Sequence, residues 1–504
     1  MPLPLAAIVP RTLDVIDYIL LVAYFALNLG IGWWCSRRNQ SSRQFFLGGG
    51  KVSWLPAAVS FFATSTSSIS FMALPAMSYA TGWITYGSAP SQAFAGMLVG
   101  FVFVGLLRRL NLTTVFGYLD KRFDRRVRLL GAGLAVLLKV CGRMSVVMLL
   151  PALALSTVTG LNVYASILVM GAVTTIYAME GGFTAVIWTD VMQSIVMLGG
   201  VGVAIFYIAG GVEGGLGGLI AAGNAAGKFK MISWDWDFTT PTVWVFVGMF
   251  FATIFTQVGD QPLMQRMLAT ADARAAKRTV VMGNVIGLAG SVIFFFVGVA
   301  LFVFYRAHPD RLSPDLPNDK IFPYFIANEL PHGVVGLIIA GLLAAAMGAL
   351  SSAMNATAAI VVSDFQGTLR PQATEPQRLR LARGATLVSG VVATGMAAYL
   401  ASLNVTSLWE QFLRLIALIG GGFPGVFALG LLSRRANSAG VIVGTLASIV
   451  ITAWVQYSTK TVSFFHTFVA IVSCMVIGYV ASLLCAKTAE KKDLRGLTLW
   501  DLEK

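Results

Sequence analysis

The sequence holds little charge: Asp, Glu, Lys and Arg make up 12% of its 504 residues, roughly half the share of an average soluble domain. An ordinary water-soluble fold is excluded. Histidine is scarcer still, with His308, His332 and His466 far apart in the chain, which argues against a zinc or catalytic cluster. The four cysteines, Cys35, Cys141, Cys474 and Cys485, fall in or at the ends of apolar segments. There they pack as small hydrophobes rather than forming a disulfide framework or binding metal. The glycine-rich GGVEGGLGG lacks the preceding strand and the GK[ST] ending of a phosphate-binding loop. No nucleophile–base pair emerges, so an enzyme is not expected.

What is present is grease. Hydrophobic residues make up 57% of the chain, arranged in runs of about 20, the length that spans about 30 Å of hydrocarbon. A β-barrel would alternate at period two instead. The expected fold class is therefore an all-α polytopic membrane protein of about 13 spans: 14–35, 53–80, 84–107, 129–158, 162–179, 185–210, 241–266, 279–305, 333–362, 382–402, 407–432, 438–457 and 464–486. The first is a retained helix rather than a signal peptide, being a full span long and opening on Asp14 and Asp17. With the N-terminus outside, 26 basic residues, Arg266 among them, fall in inner loops and the tail, against seven outside and three within spans. The positive-inside rule then sets the N-terminus out and the C-terminus in. The net charge of +14 thus reflects topology and contact with an anionic bilayer, not nucleic acid. Two outer loops, 211–240 and 306–332, are long enough for lids or for ordinary connectors.

One expected span is polar in its middle. In SWLPAAVSFFATSTSSISFMALP, beginning at Ser53, an intact helix would turn Ser65, Thr66, Ser68 and Ser70 toward every side, lipid included. A helix broken near Thr64–Ser68 resolves this, because freed carbonyls and hydroxyls then line a midplane cavity. In the fourth span Lys139 and Arg143 are four apart and share a face. Arg143, mid-segment, needs an anionic partner or a wet cavity, and its planar fork suits a carboxylate. It either holds a substrate anion or pairs with Asp190. Asp190, inside a span, faces a cavity, pairs with a basic neighbour, or carries a proton. Gln257, Asp260 and Gln261 are pocket, gate or structural residues. Glu410 and Arg414 are spaced to pair, and GGGFP at 420–424 reads as a hinge.

The stretches FFATSTSSISFMALPAMSYATGW, EGGFTAVIWTDVMQ, DQPLMQRMLAT and ALSSAMNATAAIVVSD together resemble the sodium/solute symporter family, across nearly the whole chain. The resemblance is to its iodide, monocarboxylate and sialic acid branches. It implies a five-plus-five inverted repeat in one transporter domain, 1–486. Within it, 14–35 is an extra first helix, 53–210 and 241–432 are the repeats, 438–486 are peripheral helices, and 487–504 form a cytoplasmic tail.

The same resemblance implies one sodium on the carbonyls of Ala63, Thr66 and Ala345. The family's two further hydroxyl ligands fall on Gly348 and Ala349, which have none. A second sodium is implied at Asp190, Ser351 and Ser352, with Ser65 and Ser67 facing it. Arg143 then holds a substrate carboxylate, with Ser65, Ser67 and Ser70 beside it. Thr253 and Thr256 stand where sugar carriers have an asparagine and a gate tyrosine, and their eighth-span lysine is absent, which favours an organic anion over a neutral hexose. The implied function is sodium-coupled, or proton-coupled, symport of a small anionic solute such as sialic acid in a bacterial inner membrane, with no obligatory protein partner. Carriage of a monocarboxylate, amino acid or neutral sugar, or a sensor on the same fold, are the alternatives.

Overall fold

The computed structural model describes residues 13–37, 41–403, 420–485 and 492–501, and among these no strand forms. Among the described residues nine helices are long and apolar enough to cross a membrane, and a tenth is a pair bent by 62°, Val243–Gly259 with Gln261–Leu268. Two of the nine, Ser68–Arg109 with 42 residues and Val163–Gly210 with 48, are longer than a single crossing needs. Val163–Gly210 (α9) has 48 residues, about 72 Å at 1.5 Å per residue, against about 30 Å of hydrocarbon.

A kink interrupts α9 at Gly182, whose φ of 57° and ψ of −154° lie in a region open essentially only to glycine. Gly182→Ala should therefore destabilise the fold by about 1–3 kcal/mol, read as a lower melting temperature in detergent. An unchanged melting temperature would show that the bend tolerates a side chain.

The first helix, α1 (Val15–Ser36), explains its two aspartates. Asp14 and Asp17 form a capping box. Asp17 is buried and also accepts from the backbone N–H groups of Gly333 and Gly336, each at 2.8 Å. A carboxylate thus meets the positive end of the helix Val334–Ile360. That helix is buried almost throughout; its alanines, glycines and serines allow close approach to α1 and α9.

The polar span is broken as expected. It divides into Trp54–Ser65 and Ser68–Thr81, with Thr66 and Ser67 extended between them. Two other spans carry π-helical turns, Leu138–Arg143 and Val361–Gln366, a geometry frequent at functional sites. Both long loops are tied down. Lys228 accepts from the Trp83 N–H at 2.7 Å and donates through Nζ to the Tyr79 carbonyl. In the second loop the helix Asn318–Glu329 stacks Phe322 on Phe71. The Glu410–Arg414 pair lies outside the described residues, and the helix Phe423–Leu432 begins after the glycines.

Candidate functional site

A cavity of about 480 Å³ opens beside the helix break, within the range of small-molecule sites. Of the expected solute-binding residues, Ser65, Ser70, Thr253 and Thr256 line it, together with Thr66, Gln257, Asp260 and Asn284. Its far end is formed by Ser88 and Ser463, at the start of the helices Ser88–Arg109 and Ser463–Leu484. Ser67 is buried and not part of the lining.

Arg143 stands behind the wall rather than in it. Its Nη2 donates to the Thr64 carbonyl, on the last turn before the break, at 3.1 Å, and its Nη1 lies 3.6 Å from Asp260 Oδ2. Lys139 Nζ approaches the other Asp260 oxygen at 3.5 Å. Two cations on one π-helical turn therefore share a single carboxylate, and that carboxylate faces the cavity. A pairing of Arg143 with Asp190 does not occur.

Asp190 is instead held by Arg266, at 3.0 Å and with both side chains fully buried. The guanidinium Nη2 also donates to Ser352 Oγ, and Nε donates to Ser60 Oγ, which itself donates to Asp190 Oδ2. Thr64 Oγ1 lies 3.1 Å from Ser352 Oγ. This corrects the assignment of Arg266 to an inner loop. The 62° bend turns Gln261–Leu268 back into the protein, and Asp260 caps that short helix, so a basic residue at the end of an apolar run is buried.

Asp190 and Ser352 are joined through Arg266, which occupies one Asp190 oxygen and the Ser352 hydroxyl. Ser351 donates to the Gly348 carbonyl at 3.2 Å. Ala63, Thr66 and Ala345 are all buried, the first two at the end of the broken helix and the third on Val334–Ile360.

A second set of polar contacts ties the elements near the basic segments together, beside a cavity of about 520 Å³ lined by Thr114, Asp120 and Arg128. Arg128 bridges Asp364 at 2.8 Å and Asp120 at 3.0 Å. Thr114 donates to Asp364, and Gln261 accepts from the Val115 N–H. Gln265 joins the Phe46 carbonyl to Asn355.

The family model for the sodium:solute symporter family matches residues 45–448. The chain belongs to the sodium:solute symporter family. Among its relatives, the sodium/sialic acid symporter NanT of Aliivibrio fischeri is 33% identical, covering 94% of each chain. SiaT of Proteus mirabilis, also described as a sodium/sialic acid symporter, is 33% identical over 94% of this chain and 95% of its own. A solved structure of a sodium-coupled sialic acid symporter, in a substrate-bound outward-open state, superposes with a TM-score of 0.88. It is 30% identical, over 95% of this chain and all of that one. The fold extends to the nucleobase-cation symporter Mhp1, at a TM-score of 0.58 and 16% identity.

In this symporter the hydroxyl-lined cavity lies beside the break between Ser65 and Ser68. Arg266, Gln193 and Asn284 were not singled out. Gln193 and Arg266 lie inside quoted motifs, and an arginine closing an apolar run was the one available signal for burial.

Proposed function

We propose that this symporter couples the inward movement of sodium to uptake of a small organic anion, with sialic acid the best-supported solute. The observation that carries the reading is the Arg143 guanidinium, set against the break and sharing Asp260, which faces a hydroxyl-lined cavity. An arriving carboxylate competes with Asp260 for Arg143, while Ser65, Ser70, Thr253 and Thr256 offer hydroxyls to the solute's polar groups.

The full reading is 13 spans with the N-terminus outside, a five-plus-five inverted repeat over 53–210 and 241–432, and a bacterial inner membrane. On that topology the cavity opens outward and the Arg266–Asp190 and Arg128–Asp364 pairs close the inner side. Alternating access follows by rocking the repeat that carries the broken helix.

The break fits a sodium ion in part. Helix ends leave carbonyls without intrahelical partners, and Ala63, Thr66 and Ala345 would hold the ion through theirs, with Thr66 adding a hydroxyl. Sodium bound there supplies the driving force of its gradient. The missing hydroxyls at Gly348 and Ala349 leave this site short of oxygen, which hard cations require.

The test is uptake of labelled sialic acid into proteoliposomes under an inward sodium gradient, a proton gradient, or neither. Uptake is expected with sodium alone. Uptake driven only by protons would overturn sodium coupling, and none under any gradient would overturn sialic acid as the solute.

A further inference from the structure

The cavity of about 520 Å³ near the basic segments is separate from the hydroxyl-lined one and carries five cationic side chains, Arg43, Arg108, Lys121, Arg128 and Arg378, against the carboxylates of Asp120 and Glu375. Those carboxylates are already answered. Asp120 pairs with Arg128 at 3.0 Å, Arg128 also holds Asp364 at 2.8 Å, and Glu375 pairs with Arg378 at 3.4 Å. Arg43, Arg108 and Lys121 remain, none with a carboxylate partner among the described residues. Two of them are fixed by neutral acceptors that leave their charge uncancelled. Arg108 Nη2 donates to the carbonyls of Thr270 and Ala271, at 2.7 and 3.2 Å, and Lys121 Nζ donates to the Leu110 carbonyl at 3.2 Å. Arg108 Nε is buried with no hydrogen-bond partner.

The backbone between these cations is shaped for the same charge. Leu110 is right-handed, at φ −74° and ψ −8°, and Asn111, at φ 49°, is the one non-glycine residue of positive φ among the described residues. A right-handed residue followed by a left-handed one gathers successive N–H groups into a concavity that receives anions. The turn is held by the Asn111 N–H on the Arg108 carbonyl at 3.3 Å, and Leu110, Asn111 and Leu112 all line the cavity. A phosphate group fits this wall better than a carboxylate does. It brings about two negative charges and three acceptor oxygens near neutral pH, and the arginine fork takes its oxygens in pairs.

We propose that this cavity binds a phosphate-bearing anion, held by Arg43, Arg108 and Lys121 and by the turn at 110–112. Arg43 lies on the short helix Ser42–Leu47 ahead of the broken one, Arg108 at the end of Ser88–Arg109 and Lys121 on Phe116–Arg122. A bound anion therefore ties three elements together and stabilises the protein. The phosphate can belong to a lipid headgroup or to a soluble compound. That the cavity faces the cytoplasm rests on the topology read above; its ligand chemistry does not.

The experiment follows the melting temperature of the purified full-length protein in detergent during titration with pyrophosphate, with sodium concentration and ionic strength held constant by sodium chloride. A parallel titration uses dioctanoyl phosphatidylglycerol, with dioctanoyl phosphatidylcholine as the uncharged control. At least one phosphate probe should raise the melting temperature saturably. The double variant Arg43→Gln, Lys121→Gln should increase its half-saturating concentration about tenfold or more, as expected on losing charged hydrogen bonds. Stabilisation by pyrophosphate alone assigns the site to a soluble compound, and stabilisation by phosphatidylglycerol alone, with none from phosphatidylcholine, assigns it to a lipid headgroup. Arg43→Gln by itself, at an exposed side chain, carries the test where the double variant does not melt cooperatively. No saturable stabilisation by either probe, or variant titrations that superimpose on the wild type, would overturn the proposal. Sodium-driven uptake with such titrations leaves the coupling reading standing and this site rejected; variant-sensitive stabilisation without sodium-driven uptake does the reverse.

Discussion

Asp190→Ala is expected to lower stability by about 3–5 kcal/mol, because it leaves the Arg266 guanidinium fully buried beside two hydroxyls and the Pro262 carbonyl, with no counter-charge. Breaking such a pair costs more than the pair contributes, since the remaining charge keeps its desolvation penalty without its partner. Removing both charges should therefore be milder than removing one. The double variant Asp190→Ala, Arg266→Met should recover a large part of the loss, and a double-mutant cycle on melting temperature in detergent isolates the coupling. Single and double variants that melt together would show that the pair is not an anchor. Because Ser60 is on the broken helix, Asp190 on α9, Arg266 after the bend and Ser352 on Val334–Ile360, this one cluster joins four elements. Its weakening should also raise solute-independent leak in proteoliposomes.

The parts of this arrangement differ in how far the sequence revealed them. The broken helix was legible because seven hydroxyl residues between Ser60 and Ser70 cannot all avoid lipid on an unbroken cylinder. Asp190 was legible as a carboxylate needing a partner, since a charge inside a span is tolerated only where something answers it. Its partner was not. Hydropathy places Arg266 at the end of an apolar run and hence in a loop; only the 62° bend after Gly259 returns it to the interior, and a turn of that kind has no period to read. Gly348 and Ala349 read as missing ligands because a sequence shows which side chain is lost on one helix. It does not show that Gln193 Oε1, on another helix, lies 2.8 Å from where a side chain at Gly348 would begin. The interruption of α9 was legible as a gap between the expected spans 162–179 and 185–210, and the non-helical Gly182 falls within it.

Arg143→Ala is expected to reduce apparent affinity for a carboxylate solute by about tenfold to a hundredfold or more, the equivalent of the roughly 1.5–3 kcal/mol of a charged hydrogen bond. The loss should exceed that from removing any single cavity hydroxyl, because Ser65, Ser70, Thr253 and Thr256 share the solute's polar contacts while one guanidinium answers its charge. Arg143→Lys should restore little, since an ammonium lacks the planar fork that takes a carboxylate on two bonds. Lys139, which already supplies a point charge to the same Asp260, should not compensate either. Asp260→Asn has the opposite sign. It removes the anion that competes for Arg143, so solute should bind more tightly while turnover falls, because the carboxylate that displaces the solute during inward release is gone. The measurement is the concentration dependence of uptake in proteoliposomes at fixed sodium, with solute binding in detergent as the second readout. If Arg143→Ala and Asp260→Asn shift affinity in the same direction, the two side chains merely brace the break. If they shift it in opposite directions, the solute carboxylate and Asp260 take turns on one arginine.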